Sequence, residues 1–270
     1  MFVWWIRHRR LALVSRLLLL AGAAGIWFNV LAEATKGNAS PKDFATRSQA
    51  AYLAAMQRFR AEPTNSAVAW ELGRAIFDRA EYAANDAERA TLAEQGIGVC
   101  RQLIARESGL APAHYYLAMN LGQLARTKSL GALRIVNEIE REFKAARQLD
   151  ERLDFAGPDR NLGVLYLEAP AIGSVGSRTK ARLHLQRAVE LRPDYPDNRL
   201  SFAEALLKWG DQTGAKRELL ALENLWPAAQ TNFSGEEWGS SWLDWEARLK
   251  KLHKRITDLG KVVESPRGKP

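Results

Sequence analysis

The stretch Lys180-Ala181-Arg182-Leu183-His184-Leu185-Gln186-Arg187-Ala188-Val189-Glu190-Leu191-Arg192-Pro193 decides the fold, because its pattern returns 34 residues later. Ala181, Leu185, Ala188 and Pro193 recur as Ala215, Leu219, Leu222 and Pro227. Ala181 and Ala188 lie two turns apart on one helical face, with Leu185 between them. Alanine lets a neighbouring helix approach closely and leucine fills the space above it. Proline cannot continue a helix, so Pro193 and Pro227 mark the turns that follow.

A 34-residue period is that of the tetratricopeptide repeat (TPR), an antiparallel helix pair that stacks on copies of itself. Working outward, the first helix of each pair carries a Leu-Gly step at Leu72-Gly73, Leu121-Gly122 and Leu162-Gly163, with Phe202-Ala203 in the fourth place. Glycine inside a helix costs about 1 kcal/mol relative to alanine. Its return at one place in the pattern predicts backbones that cross closely. The steps are 49, 41 and 40 residues apart, so extra residues enter each pair at 83–91, 126–134 and 169–178. Insertions in a solenoid tend to gather on one face, often the binding face. Here they either do so or extend helices and fill loops.

The reading of the whole is all-α, a TPR-like α-solenoid of about four helix pairs with an extra helix at each end. The leading helix starts at Ser40-Pro41, with serine as N-cap and proline in the first turn, and runs to about Ala61. The pairs span about 64–225, and a loop at 226–233 leads to the last helix. Ser234 and Glu237 have capping-box spacing. Trp238, Trp242, Trp245, Leu249, Leu252 and Ile256 then form an apolar seam at heptad spacing. The seam either covers the open end of the last repeat or forms an association surface through its three tryptophans.

Three segments follow: a leader at 1–34, the helical domain at 35–259, and a polar, Pro/Gly-containing tail at 260–270 expected to be disordered. The leader joins a basic start (Arg7, Arg9, Arg10) to an apolar run at 17–32 and an Ala32-Glu33-Ala34 step. This is the layout of a secretory signal peptide, or of a signal anchor if it is retained. Either way the basic end stays in the cytoplasm and the repeats are exported, to the periplasm or to the periplasmic side of the inner membrane. Removing 1–34 takes basic residues from 39 to 35 and acidic from 31 to 30, so the net charge falls from +8 to +5. Scattered basic residues and export argue against nucleic acid as a partner. The single Cys100 has no intramolecular disulfide partner and sits among Ile97, Leu103 and Ile104, as a buried thiol would.

In TPR geometry the first helices line the concave face. Projecting from the Leu-Gly steps gives Trp70, Arg74 and Phe77, then Tyr116, Met119, Gln123 and Arg126, then Arg160, Val164 and Leu167, then Leu200, Glu204 and Leu207. This strip is mostly apolar with Arg74, Arg126 and Arg160 spaced along it. It suits an amphipathic segment or an apolar ligand bearing a carboxylate. The alternative is that the added helices fill the strip as ordinary core. His8, His114, His184 and His253 lack metal-ligand spacing, and no nucleophile elbow or phosphate loop appears, so the sequence predicts neither enzyme nor cofactor nor metal.

The segments His114-Tyr115-Tyr116-Leu117-Ala118-Met119-Asn120-Leu121-Gly122 and Ala156-Gly157-Pro158-Asp159-Arg160-Asn161-Leu162-Gly163-Val164-Leu165-Tyr166, with the Gly-Ser loop and Lys180-Ala181-Arg182-Leu183-His184-Leu185, carry a family likeness. The chain from His114 to about Leu222 resembles the T component (TatT-like) of TRAP transporters, TPR proteins that work outside the inner membrane with a solute-binding protein. The resemblance implies a non-enzymatic accessory of solute uptake that docks such a protein. Members characterised in that family are lipoproteins, whereas no cysteine follows this leader. Regulator-of-microtubule-dynamics proteins share similar repeats and match less closely. The other reading is a membrane-tethered scaffold for envelope protein assembly. Self-association fits both.

Overall fold

A computed structural model describes residues 41–128 and 132–264. Among these, ten α-helices follow one another: α1 (Pro41–Ala61), α2 (Ser66–Glu81), α3 (Asp86–Arg106), α4 (Ala111–Thr127), α5 (Ala132–Leu149), α6 (Leu153–Glu168), α7 (Arg178–Leu191), α8 (Pro196–Lys208), α9 (Gln212–Asn232) and α10 (Gly239–Glu264). The pairs are α2/α3, α4/α5, α6/α7 and α8/α9, with α1 in front and α10 behind, each pair packing on the next. The expected all-α, TPR-like stack is what the chain forms. The leader and Ser40 lie outside the described residues.

Local chemistry sets the helix starts. The Asn65 side chain accepts from the N–H groups of Ala67 (3.0 Å) and Val68 (3.4 Å), and Asn85 accepts from Glu88 (2.9 Å). Ser177 and Asp211 do the same for Lys180 and Gly214. Pro112 and Pro196 sit in first turns, where a missing N–H costs nothing. Two of the three Leu-Gly steps, at Gly73 and Gly163, are sites of close crossing. A Cβ on Gly73 would stand 2.7 Å from Cys100 Sγ, and one on Gly163 would stand 2.5 Å from Leu185 Cγ. Each glycine therefore admits the second helix of its own pair. Cys100 is fully buried there, and burial pushes its thiol up to about 12.

Several boundaries differ from the sequence expectation. The loop at 226–233 is helical as far as Asn232, with Pro227 inside α9 rather than after it. Ala229 and Phe233 explain why. Both are buried in one aromatic cluster with Tyr195, Leu200, Leu222 and Trp245. That burial offsets the hydrogen bond proline removes. The capping box at Ser234 and Glu237 is not formed. Gly235, at φ 106°, takes the N-cap position without a side-chain bond, and Glu236–Trp238 is a 3₁₀ turn before α10. Helix α10 continues past residue 259 to Glu264, and the rest of the expected tail lies outside the described residues.

The tryptophan seam folds back on its own chain. Trp245 is 2% exposed, and Leu249, Leu252, Ile256 and Leu259 pack on the Val164, Phe202, Leu206 and Leu207 side of the core. The Trp242 indole N–H donates to the Phe233 carbonyl at 2.6 Å. Trp245, Leu249, Leu252 and Ile256 of the seam thus pack on the last two pairs, the arrangement that the cap reading expects, while Trp238 and Trp242 stay half-buried.

Candidate functional site

The first helices of the four pairs, α2, α4, α6 and α8, share the side on which the concave strip is expected. Its amino-terminal half is a cavity of about 760 Å³. Helix α2 supplies Trp70, Arg74, Phe77 and Asp78, at spacings that place them on one face. Helix α4 supplies Tyr115, Tyr116 and Met119. Helix α6 supplies Leu153, Asp154, Phe155, Arg160 and Asn161, and the start of α8 supplies Tyr195 and Asp197. The outer wall comes from both ends of the described chain: Phe44, Arg47, Ser48 and Ala51 of α1 face residues 236–241. Arg47 and Glu236 pair at 3.4 Å, and the Phe44 ring lies against Gly239.

The floor holds the only left-handed non-glycine backbone among the described residues. Asp154, Phe155 and Ala156 have φ of 49°, 57° and 63°, three left-handed residues in a row and none of them glycine. Each such residue costs roughly 1–2 kcal/mol, so the surroundings must impose the turn. Arg160 donates to the carbonyls of Asp154 (3.3 Å) and Phe155 (3.1 Å) and to the Asp154 carboxylate (3.0 Å). Asn198 donates to the Phe155 carbonyl at 3.1 Å, and the Tyr115 hydroxyl donates to the Asp154 carboxylate. The Phe155 ring stacks on Tyr195 at 4.5 Å. The turn carries Asp154 and Phe155 into the cavity wall, and nothing in the sequence signals it beyond the helix start at Gly157-Pro158.

Behind the floor lies a buried ionic network. Arg160 Nε stands 3.3 Å from Asp197, whose other oxygen is 2.6 Å from Arg248 of α10. Arg248 also binds Glu204 (2.8 Å), Asp244 (3.1 Å) and the Ser201 hydroxyl (3.0 Å). Burial alone would raise the Asp197 carboxyl, but Arg248 and Arg160 override it and hold the group well below the usual carboxylate range. Asp78 lies on the opposite wall. Burial raises its carboxyl to about 6 against the opposing pull of Arg74, while Glu81 and Asp154 add to the rise.

The structure divides the expected strip in two. Trp70, Arg74, Phe77, Tyr116, Met119 and Arg160 line the cavity. The rest do not. Gln123 and Arg126 bind Glu81, with Arg126 at 3.1 Å. Val164, Leu167 and Leu207 pack among core residues that include Leu252, and Leu200 packs against Trp245. Glu204 accepts from Arg248. Helix α10 therefore fills the carboxy-terminal half of the concave side, as the added-helix alternative allowed. The three arginines do not form a row: Arg126 faces elsewhere, Arg160 is engaged by the chain's own groups, and Arg74 keeps a side chain 59% exposed. No described residue of the three insertions lines the cavity. Sequence reasoning missed Asp78, Asp154, Phe155, Tyr195, Asp197 and the α1 residues. Asp78 carried a signal, one turn after Arg74 and beside Phe77.

Among the described residues, no group of His, Cys, Asp and Glu is placed to hold a metal ion. No described helix is long and apolar enough to cross a membrane.

The sequence pattern of the family described as "Regulator of microtubule dynamics protein 1-3" matches residues 36–150, which include α1 to α5. No curated protein matches the chain. Among solved structures, the chain is similar to a thermophilic TPR protein of Thermus thermophilus, with a TM-score of 0.55, 18% identity, and coverage of 77% of this chain and 91% of that one. This likeness is one of fold, a TPR-like stack. Neither match is to a T component.

Proposed function

We propose that the chain is a non-enzymatic binding protein in which the TPR stack docks a partner protein and the cavity holds a small ligand with an apolar body. The observation that carries this reading is the cavity itself: about 760 Å³, within the usual range of ligand pockets, with aromatic walls and a few fixed charges. A stack whose only task is to present its outer surface has no use for an aromatic chamber on a strained floor.

The finer role follows from the resemblance to the T component. The protein would work outside the inner membrane, as an accessory to TRAP-type uptake that docks a solute-binding protein and is held there by residues 1–34 or released by their cleavage. The second reading is a tethered scaffold. It is favoured by the match of residues 36–150 to regulators of microtubule dynamics, whose name describes action on other proteins rather than solute uptake.

Affinity capture of the tagged full-length protein from its own cells, with the amino terminus of the same sample determined, separates the two. Recovery of a solute-binding protein or TRAP permease subunit supports uptake. Recovery of only other envelope proteins, with residues 1–34 still attached, leaves the scaffold.

A further inference from the structure

The charge of the cavity opposes the charge of the chain. Five carboxylates line it (Asp78, Asp154, Asp197, Glu236 and Glu237) against three arginines, in a protein with a net charge of +8. Two of those arginines are already satisfied by the chain's own acids, Arg160 by Asp154 and Asp197, and Arg47 by Glu236. Asp154, Asp197 and Glu236 are in turn neutralised by those arginines and by Arg248, which leaves Asp78, with Arg74 as its partner, and Glu237 as the acids that an entering ligand meets.

Asp78 stands apart from the other acids. Its ion-pair partner Arg74 comes from the same helix at 3.7 Å, the loose end of the range, and 38% of the Asp78 side chain is open. Next to it the wall is aromatic. Trp70 and Tyr116 lie parallel with ring centres 6.0 Å apart, and Tyr116 meets Tyr115 edge to face at 5.2 Å. Aromatic faces attract cations, most strongly where water is excluded. A carboxylate beside such faces is complementary to an ammonium group and mismatched to a carboxylate. The outer wall of α1 and residues 236–241 narrows the way in, which favours a small molecule over a folded partner.

We propose that the cavity takes a small organic cation, with its ammonium head beside Asp78 and an apolar or aromatic body against Trp70, Phe77 and Tyr116. This rests on the reading of the cavity as a ligand site and names the chemistry of the ligand. The raised carboxyl of Asp78 agrees with it: the group is partly desolvated, Glu81 and Asp154 add to the rise, and a bound cation offsets both. The charged and titratable groups that face it are Arg74 and Glu81 from α2 and Tyr82 at its end, Arg47 from α1, Tyr115 and Tyr116 from α4, Asp154 from α6, and Glu236 and Glu237 from the turn before α10. Asp78 itself changes charge near pH 6, so cation affinity falls as the pH drops through that value.

Three probes share one body: tyramine (cation), tyrosol (neutral) and 4-hydroxyphenylacetate (anion). Titration calorimetry with the folded protein at pH 7.5 gives tyramine an affinity at least tenfold above tyrosol, with the acid weakest. Asp78→Asn, checked for folding by circular dichroism, abolishes the preference for tyramine over tyrosol. Wild-type protein at pH 5 loses most of the tyramine preference, which supplies the test without any substitution. Equal affinities for tyramine and tyrosol, or tightest binding by the acid, overturn the cation and leave the ligand pocket standing. Failure of all three to bind at millimolar concentration overturns both. Binding of a lysine-bearing peptide but not tyramine overturns the small molecule and gives the site to a protein partner.

Discussion

Arg47 of α1 and Glu236 of the turn before α10 pair at 3.4 Å across the mouth of the cavity, although they come from opposite ends of the described chain. The pair joins the first helix to the last and turns an open groove into a walled chamber. Its side chains are 43% and 82% exposed, so its worth lies in position rather than energy. Exposed pairs of this kind contribute about 0–1 kcal/mol. Glu236→Gln is expected to leave the unfolding midpoint in urea nearly unchanged and to speed both entry and release of any cavity ligand. Stopped-flow binding beside equilibrium denaturation checks both halves.

Arg248 is a different case, because it is buried among Asp197, Glu204 and Asp244. Replacing it with methionine strands buried carboxylates, a change that costs about 3–5 kcal/mol. Urea denaturation of Arg248→Met reads this directly. A loss below about 1 kcal/mol would mean that the network contributes no more than a surface pair. The same network sets an acid limit. The Asp197 carboxyl is depressed, so its stabilisation is complete above the usual carboxylate value of about 4 and disappears as pH falls toward the folded value. The Arg248 variant lowers the midpoint at pH 7 more than at pH 3.

Asp78 gives the opposite sign. Its carboxyl is raised to about 6, so between the unfolded value of 3.8 and 6 the folded protein binds more protons than the unfolded chain. Stability from this residue therefore decreases as pH rises through that window and levels off above it. Asp78→Asn removes the trend. The difference in melting temperature between variant and wild type grows from pH 4 to pH 6.5 in favour of the variant, as differential scanning fluorimetry across that range reports. A constant difference would place the carboxyl of Asp78 at its ordinary value.

Gly163 tests the crossing of helices. A methyl group there meets Leu185 Cγ at 2.5 Å and the Leu185 backbone nitrogen at 3.0 Å. Helix propensity would favour alanine by about 1 kcal/mol, whereas overpacking costs about 1–3 kcal/mol. The clash includes backbone that cannot swing aside, so Gly163→Ala is expected to destabilise. A higher unfolding midpoint would mean that α6 and α7 can slide apart without loss.

How far the sequence reaches follows from which interactions are local. The 34-residue recurrence and the Leu-Gly steps encode contacts within one pair, and those contacts formed where they were read, with Gly73 against Cys100 and Gly163 against Leu185. The strip was legible only where nothing else competed for it. Trp70, Arg74, Phe77, Tyr116 and Met119 face the cavity, while Leu200, Glu204 and Leu207 carry the same periodic signal and lie under α10. Periodicity says that a face is apolar and leaves open what covers it. The left-handed residues at 154–156 are hidden for another reason: Phe155 and Ala156 have no intrinsic preference for that backbone and are held in it by Arg160 and Asn198. Helix α9 ran through Pro227 because burial of Ala229 and Phe233, a tertiary effect, outweighed a local stop signal.

The meeting of α1 with residues 236–241 also sets the order in which the chamber can come into being. An ordinary repeat array folds and frays unit by unit from its ends, each repeat answering only to its neighbours. Here the outer wall needs the first helix and a turn that leaves the ribosome only after all four pairs have done so. A nascent chain that stops before residue 236 holds every repeat and no finished chamber. The chamber is thus complete only once synthesis has passed the last pair, and it has no finished outer wall before then.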